Sequence, residues 1–87
     1  MLKGKTSTGF EYEISDGRMN NYELLEVFGL MENDATLMPK AVTMLLGKDQ
    51  AEQLKNHVRD EDGLVPADKM GDELKDIFAG QNQVKKS

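Results

Sequence analysis

Few side chains in this sequence are equipped for chemistry, and their spacing decides what each can do. His57 is the single histidine and the chain has no cysteine. Counting therefore excludes a histidine metal triad and a Cys–His nucleophile pair. His57 stands beside Val58 near the end of an amphipathic stretch, where a solvent-facing imidazole favours the negative end of a helix. Asp60-Glu61-Asp62-Gly63 invites a calcium-loop reading. With Gly63 at the sixth position of such a loop, Val58 falls at the first and Lys69 at the twelfth, where carboxylates are required. The spacing fails, and the segment reads as a solvated acidic turn whose carboxylates cap the next helix or pair with Arg59. Gly4, Gly9 and Gly17 lead into no Gly-Lys-Ser/Thr sequence, so no phosphate loop is expected. Thr6, Ser7 and Thr8 offer hydroxyls but have no base beside them in sequence. With 16 acids in 87 residues, chance carboxylate pairs are expected, and no oriented nucleophile stands out. The expectation is a non-enzymatic chain with no catalytic residue, no cofactor and no metal.

The elements that would carry these residues follow from periodicity. Leu2 to Thr6 and Phe10 to Ile14 read as two short strands joined across Ser7-Thr8-Gly9. Phe10, Tyr12 and Ile14 alternate with Glu11 and Glu13, the period of a half-buried strand. Asp16-Gly17 is a turn signal, and Asn20 or Asn21 caps a helix running to about Met31. Leu24, Leu25, Val27, Phe28 and Met31 share its broad apolar face. A second helix begins near Thr36, because Pro39 is tolerated only in a first turn. Of its residues to Leu46, Leu37, Met38, Ala41, Val42, Met44, Leu45 and Leu46 are apolar and sweep an arc of roughly 200°. Such an arc is either buried by its own chain or shared with a partner. Gly47 stops this helix, and Asp49 with Glu52 suggests a capping box for a third, Gln50 to about Arg59. Its stripe of Ala51, Leu54 and Val58 is narrow. A fourth helix, Pro66 to Ala79, aligns Ala67, Met70, Leu74, Ile77 and Phe78. Gly80 is a stop signal, and 81–87 reads as a polar tail. The fold class is α+β: an N-terminal hairpin over 2–14 and a helical part over 20–79, in one domain spanning 1–80.

Composition narrows the function classes. The apolar share of 38% is low, but the apolar residues recur periodically, which argues for a folded chain. The net charge is −5, with acids concentrated in 11–34 and 60–79. Basic residues are interspersed with acids, so binding to nucleic acid is not expected. The longest near-apolar run, Ala41 to Leu46, is too short to cross a bilayer, and no signal peptide is evident.

The order of the helix and turn signals is more specific than any one of them. Thr6-x-x-Gly9-Phe10-Glu11-x-Glu13-Ile14 is followed by Tyr22-Glu23-Leu24-Leu25-Glu26. Met38-Pro39-Lys40 leads into Leu45-Leu46-Gly47, then Leu54-Lys55-x-His57, Arg59-Asp60-Glu61-Asp62-Gly63 and Val65-Pro66. In this order the sequence resembles the small tail assembly chaperones of long-tailed phages and prophages of Gram-positive bacteria. It departs from their pattern at Leu64, where a polar or basic residue is expected, and at Gly71 inside the last helix.

The resemblance implies a protein of the host bacterial cytoplasm. Such a protein binds the apolar helical segments of the phage tape-measure protein, hands it to the tail-tube protein, and is not retained in the virion. It also implies that this chain corresponds to the short product of genes that often yield a longer one by frameshifting. Two other readings stay open: a small acidic regulator occupying another protein's basic surface, and a minor structural tail protein. The partner interface is expected among Phe28, Met31, Met38, Val42 and Leu45, on the two helices with the widest apolar faces. Met31, Met38, Met44 and Met70 serve equally as adaptable core filler or as partner grip. A homo-oligomer is expected through the hairpin edge or the broad face of the Thr36–Leu46 helix.

Overall fold

The computed structural model describes residues 2–84, and side chains through residue 80. It is a small α+β domain: an antiparallel hairpin followed by five α-helices. Strand β1 (Leu2–Lys5) pairs with β2 (Glu11–Ile14) so that Leu2 faces Ile14 and Gly4 faces Tyr12. The alternation in β2 has its expected consequence, with Tyr12 and Ile14 buried and Glu11 and Glu13 exposed. Gly4 is a packing requirement, because a Cβ there would stand 2.5 Å from Cζ of Tyr12. The tyrosine ring occupies the space a side chain would need.

Asp16-Gly17 forms more than a turn. It lies in one helical turn, α1 (Asp16–Met19), capped by the Ser15 hydroxyl, which accepts from Arg18 N. Helix α2 (Tyr22–Met31) begins at Asn21, whose carboxamide oxygen accepts from Glu23 N at 3.0 Å. The expected helix from Thr36 is split: a 3-10 turn over Ala35–Leu37 precedes α3 (Met38–Leu46), with Pro39 in its first turn. Next come α4 (Lys48–Val58) and α5 (Ala67–Val84).

Two boundaries depart from the sequence reading. Helix α4 starts directly after Gly47 and has no side-chain cap, so Asp49 sits inside its first turn and forms no capping box. The cause is Gly47 itself. At φ 84° and ψ 165° it occupies a region open essentially only to glycine. It redirects the chain within a single residue and leaves no separate cap position. Helix α5 runs through Gly80, an interior glycine costing only about 1 kcal/mol in a helix. Residues 81–84 are thus helical rather than tail, and 85–87 lie outside the described residues.

One cluster of buried side chains joins the elements. Ile14 from β2, Leu24 from α2, Leu45 from α3, Leu54 from α4, and Leu74 and Ile77 from α5 are almost wholly buried. Each contributes about 1.5–3 kcal/mol by leaving water. Helix α3 is central, packing on α1, α2, α4 and β2, which accounts for its broad apolar arc. Ala41, Val42, Leu45 and Leu46 are all covered by the chain's own elements. Val42 and Leu45 therefore belong to the core, which corrects their assignment to a partner interface. Leu25, expected on the buried face of α2, is 48% exposed; it lies about 100° around the helix from Leu24.

Candidate functional site

Three of the five expected interface residues, Phe28, Met31 and Met38, remain half-exposed and pack on the edge of the core. They meet in one place. Helices α2 and α5 diverge to form a trough of about 600 Å³, whose apolar lining includes Phe28, Met31, Met38, Leu74 and Phe78. The Phe28 and Phe78 rings lie 4.8 Å apart at 40° and join the two walls. Gly71 of α5 faces Met38, and a Cβ there would make only an ordinary contact, 3.5 Å, with Met38 Cε. Met38 and Ala67 also line a second hollow of about 340 Å³ between α3, α4 and the start of α5. Pro39, Val42, Ala51, Val65 and Met70 supply apolar walls there. Lys48, Glu52 and Lys55 stand on its edge, and Lys55 Nζ pairs with Glu52 at 2.6 Å. That ammonium draws the Glu52 carboxyl below its ordinary range. Tyr22, Leu25 and Leu30 add exposed apolar surface along α2. Leu64 projects from the α4–α5 turn and is 65% exposed.

The acidic turn is stabilised from within. Asp60 Oδ1 accepts from Asp62 N and Leu64 N, both at 2.9 Å, and Gly63 N donates to Asp60 O. Arg59 Nη1 donates to Gly63 O at 2.7 Å and Arg59 Nε to Asn56 Oδ1, so the guanidinium holds the turn through neutral oxygens. Among the described residues, no group of three or more His, Cys, Asp or Glu is placed to hold a metal ion.

Sequence separation concealed three arrangements. The first gives the hairpin loop its base partner: Thr8 Oγ1 lies 3.0 Å from His57 Nε2 and 2.6 Å from Glu73 Oε2. The hydroxyl has one proton, which goes to the carboxylate, so Nε2 of His57 is the donor toward Thr8. An imidazole that donates to a hydroxyl is not placed to deprotonate it. Ser7 N also donates to Asp76 Oδ2 at 2.7 Å, so the cluster fastens the hairpin loop to α4 and α5. Glu73 is buried and its Oε1 has no hydrogen-bond partner.

The second arrangement is Gln50. Its Oε1 accepts from Glu13 N at 2.7 Å, while Nε2 donates to Glu13 O and Leu46 O. One carboxamide thereby pairs both backbone groups of Glu13 and ties the edge of β2 to the end of α3. The third is Arg18, whose Nη1 donates to Thr43 O and Met44 O, two of the last carbonyls of α3. A single Gln or Arg in a polar segment carries no signal for such a role. Of these residues, chemistry singled out only the lone histidine next to a helix end and the hydroxyls of Ser7 and Thr8 in the sequence.

No protein-family model, curated protein or solved structure matches this chain. No helix among the described residues is long and apolar enough to cross a membrane.

Proposed function

We propose that this protein is a non-enzymatic phage tail assembly chaperone that holds apolar helical segments of a tape-measure protein until the tail-tube protein is added. The observation that carries this reading is the α2–α5 trough. It leaves Phe28, Met31 and Met38 only partly buried, at the edge of the core and within reach of a partner. Methionine is suited to such a surface, since its flexible thioether adapts to varied partners. The order of helix and turn signals supplies the tail-assembly context, and the net charge of −5 suits a role in keeping a complex soluble. On this reading the protein works in the host bacterial cytoplasm and leaves before the virion is complete.

Deleting the gene from its phage tests the reading. Tape-measure protein should then accumulate in the insoluble fraction of infected cells and tails should be missing. Mass spectrometry of wild-type virions should find no copies of this chain. Stoichiometric copies in purified virions would make it a structural tail protein instead.

A further inference from the structure

We infer that the α2–α5 trough is built for one kind of occupant: a basic amphipathic helix, with apolar residues facing the floor and Lys or Arg at its flank. The inference rests on the chaperone reading and specifies which tape-measure segments would be held.

The floor is apolar, but the rim is not. Glu32 at the end of α2 and Asp68 and Asp72 at the start of α5 stand on it, with Lys75 a turn further along α5. All four are exposed. Local structure accounts for one of the three carboxylates. Asp68 sits in the first turn of α5, where a negative charge favours the helix dipole, and it accepts from Lys69 N. Glu32 has the opposite relation to its helix. It occupies the C-cap of α2, which has no basic residue in its last turn, so its charge faces the negative end of the dipole. Asp72 lies beyond the first turn of α5. Asp72 stands at i+3 from Lys75, and three carboxylates against that one ammonium leave the rim net negative beside an apolar floor, a complement for cations.

The walls specify a helix. Both are helical, and Asp68, Asp72 and Lys75 follow one another along α5 at helical spacing, as do Phe28, Met31 and Glu32 on α2. From Asp68 to Phe78 the trough runs about 15 Å, roughly three helical turns. That length accepts apolar anchors at i, i+3 or i+4, and i+7, the pattern of a helix laid in a groove.

The test uses two labelled synthetic peptides with leucines at those anchor positions, one with Lys at every other site and one with Glu. Fluorescence anisotropy at low salt should show the Leu/Lys peptide binding about tenfold more tightly than the Leu/Glu peptide. The double variant Glu32→Lys/Asp72→Lys should lose about tenfold in affinity for the Leu/Lys peptide. Glu11→Lys/Glu13→Lys changes net charge equally on exposed β2 positions outside the trough, and should lose less than about threefold. Equal losses in the two variants would show attraction by overall charge and overturn the assignment to the trough. Equal binding of the two peptides would overturn the basic flank while leaving an apolar occupant. Binding of neither peptide, alongside successful rescue of the tape-measure protein in cells, would overturn the inference without touching the chaperone reading.

Discussion

The Phe28 and Phe78 rings meet at 4.8 Å, tilted by 40°, and join α2 to α5 across the trough. Elsewhere these two helices are sparsely joined, so the ring pair sets how far the walls stand apart. A double-mutant cycle with Phe28→Ala and Phe78→Ala should give a coupling energy of about 0.5–1.5 kcal/mol in urea unfolding. Additive effects would mean that the rings pack independently and do not brace the trough.

The glycines should separate by what a Cβ would meet. Gly29 lies inside α2 with nothing near it, so Gly29→Ala should stabilise the fold by about 0.5–1 kcal/mol. Gly4→Ala would force Tyr12 from its buried place and should cost about 1–3 kcal/mol. Gly47→Ala should cost a similar ~1–3 kcal/mol, because its φ of 84° strains any L side chain. Thermal melts of the three variants decide the order, and a stabilising Gly4→Ala would contradict the described packing of Tyr12.

Thr8 gives the buried Glu73 its one observed partner. Thr8→Val should therefore destabilise by about 1–3 kcal/mol, since it leaves a buried carboxylate unsatisfied. Adding Glu73→Leu should recover most of that loss by removing the orphaned group. If the double variant is no more stable than Thr8→Val alone, the cost lies in the hairpin loop and not in the carboxylate.

Asp60 uses one carboxylate oxygen for two amides of its own turn. Melting curves with and without millimolar calcium should therefore overlap, as the failed loop spacing also requires. A rise of several degrees with calcium would show that the turn can be rebuilt around an ion.

The parts of the fold that were legible in the sequence are those written in local pattern. The strand alternation of Phe10, Tyr12 and Ile14, the Asn21 cap, and the stops and starts at Gly47 and Pro39 all act within a few residues. Helix ends shifted where one residue did two jobs, as Gly47 does, or where tertiary context outweighed a weak breaker, as at Gly80. The candidate site was half legible. Periodicity identified apolar faces, but it could not say which side of the Thr36–Leu46 arc the chain would cover. Val42 and Leu45 point into the core because α3 is wrapped by four other elements, while Met38, at the start of that helix, lines the trough. Gln50, Arg18 and Glu73 act across 25 to 65 residues of sequence, and nothing local marks such partners.

The most direct measurement of the proposed chaperone role is the solubility of a tape-measure protein, encoded in the same genome, co-expressed with this chain. Wild-type protein should shift it to the soluble fraction and co-purify with it, and the complex should survive added salt because apolar burial drives it. Met38→Asp, which places a charge where the two hollows meet, should abolish rescue while the helical circular dichroism of the variant persists. A tape-measure protein that stays insoluble beside well-folded wild-type chain would contradict the account.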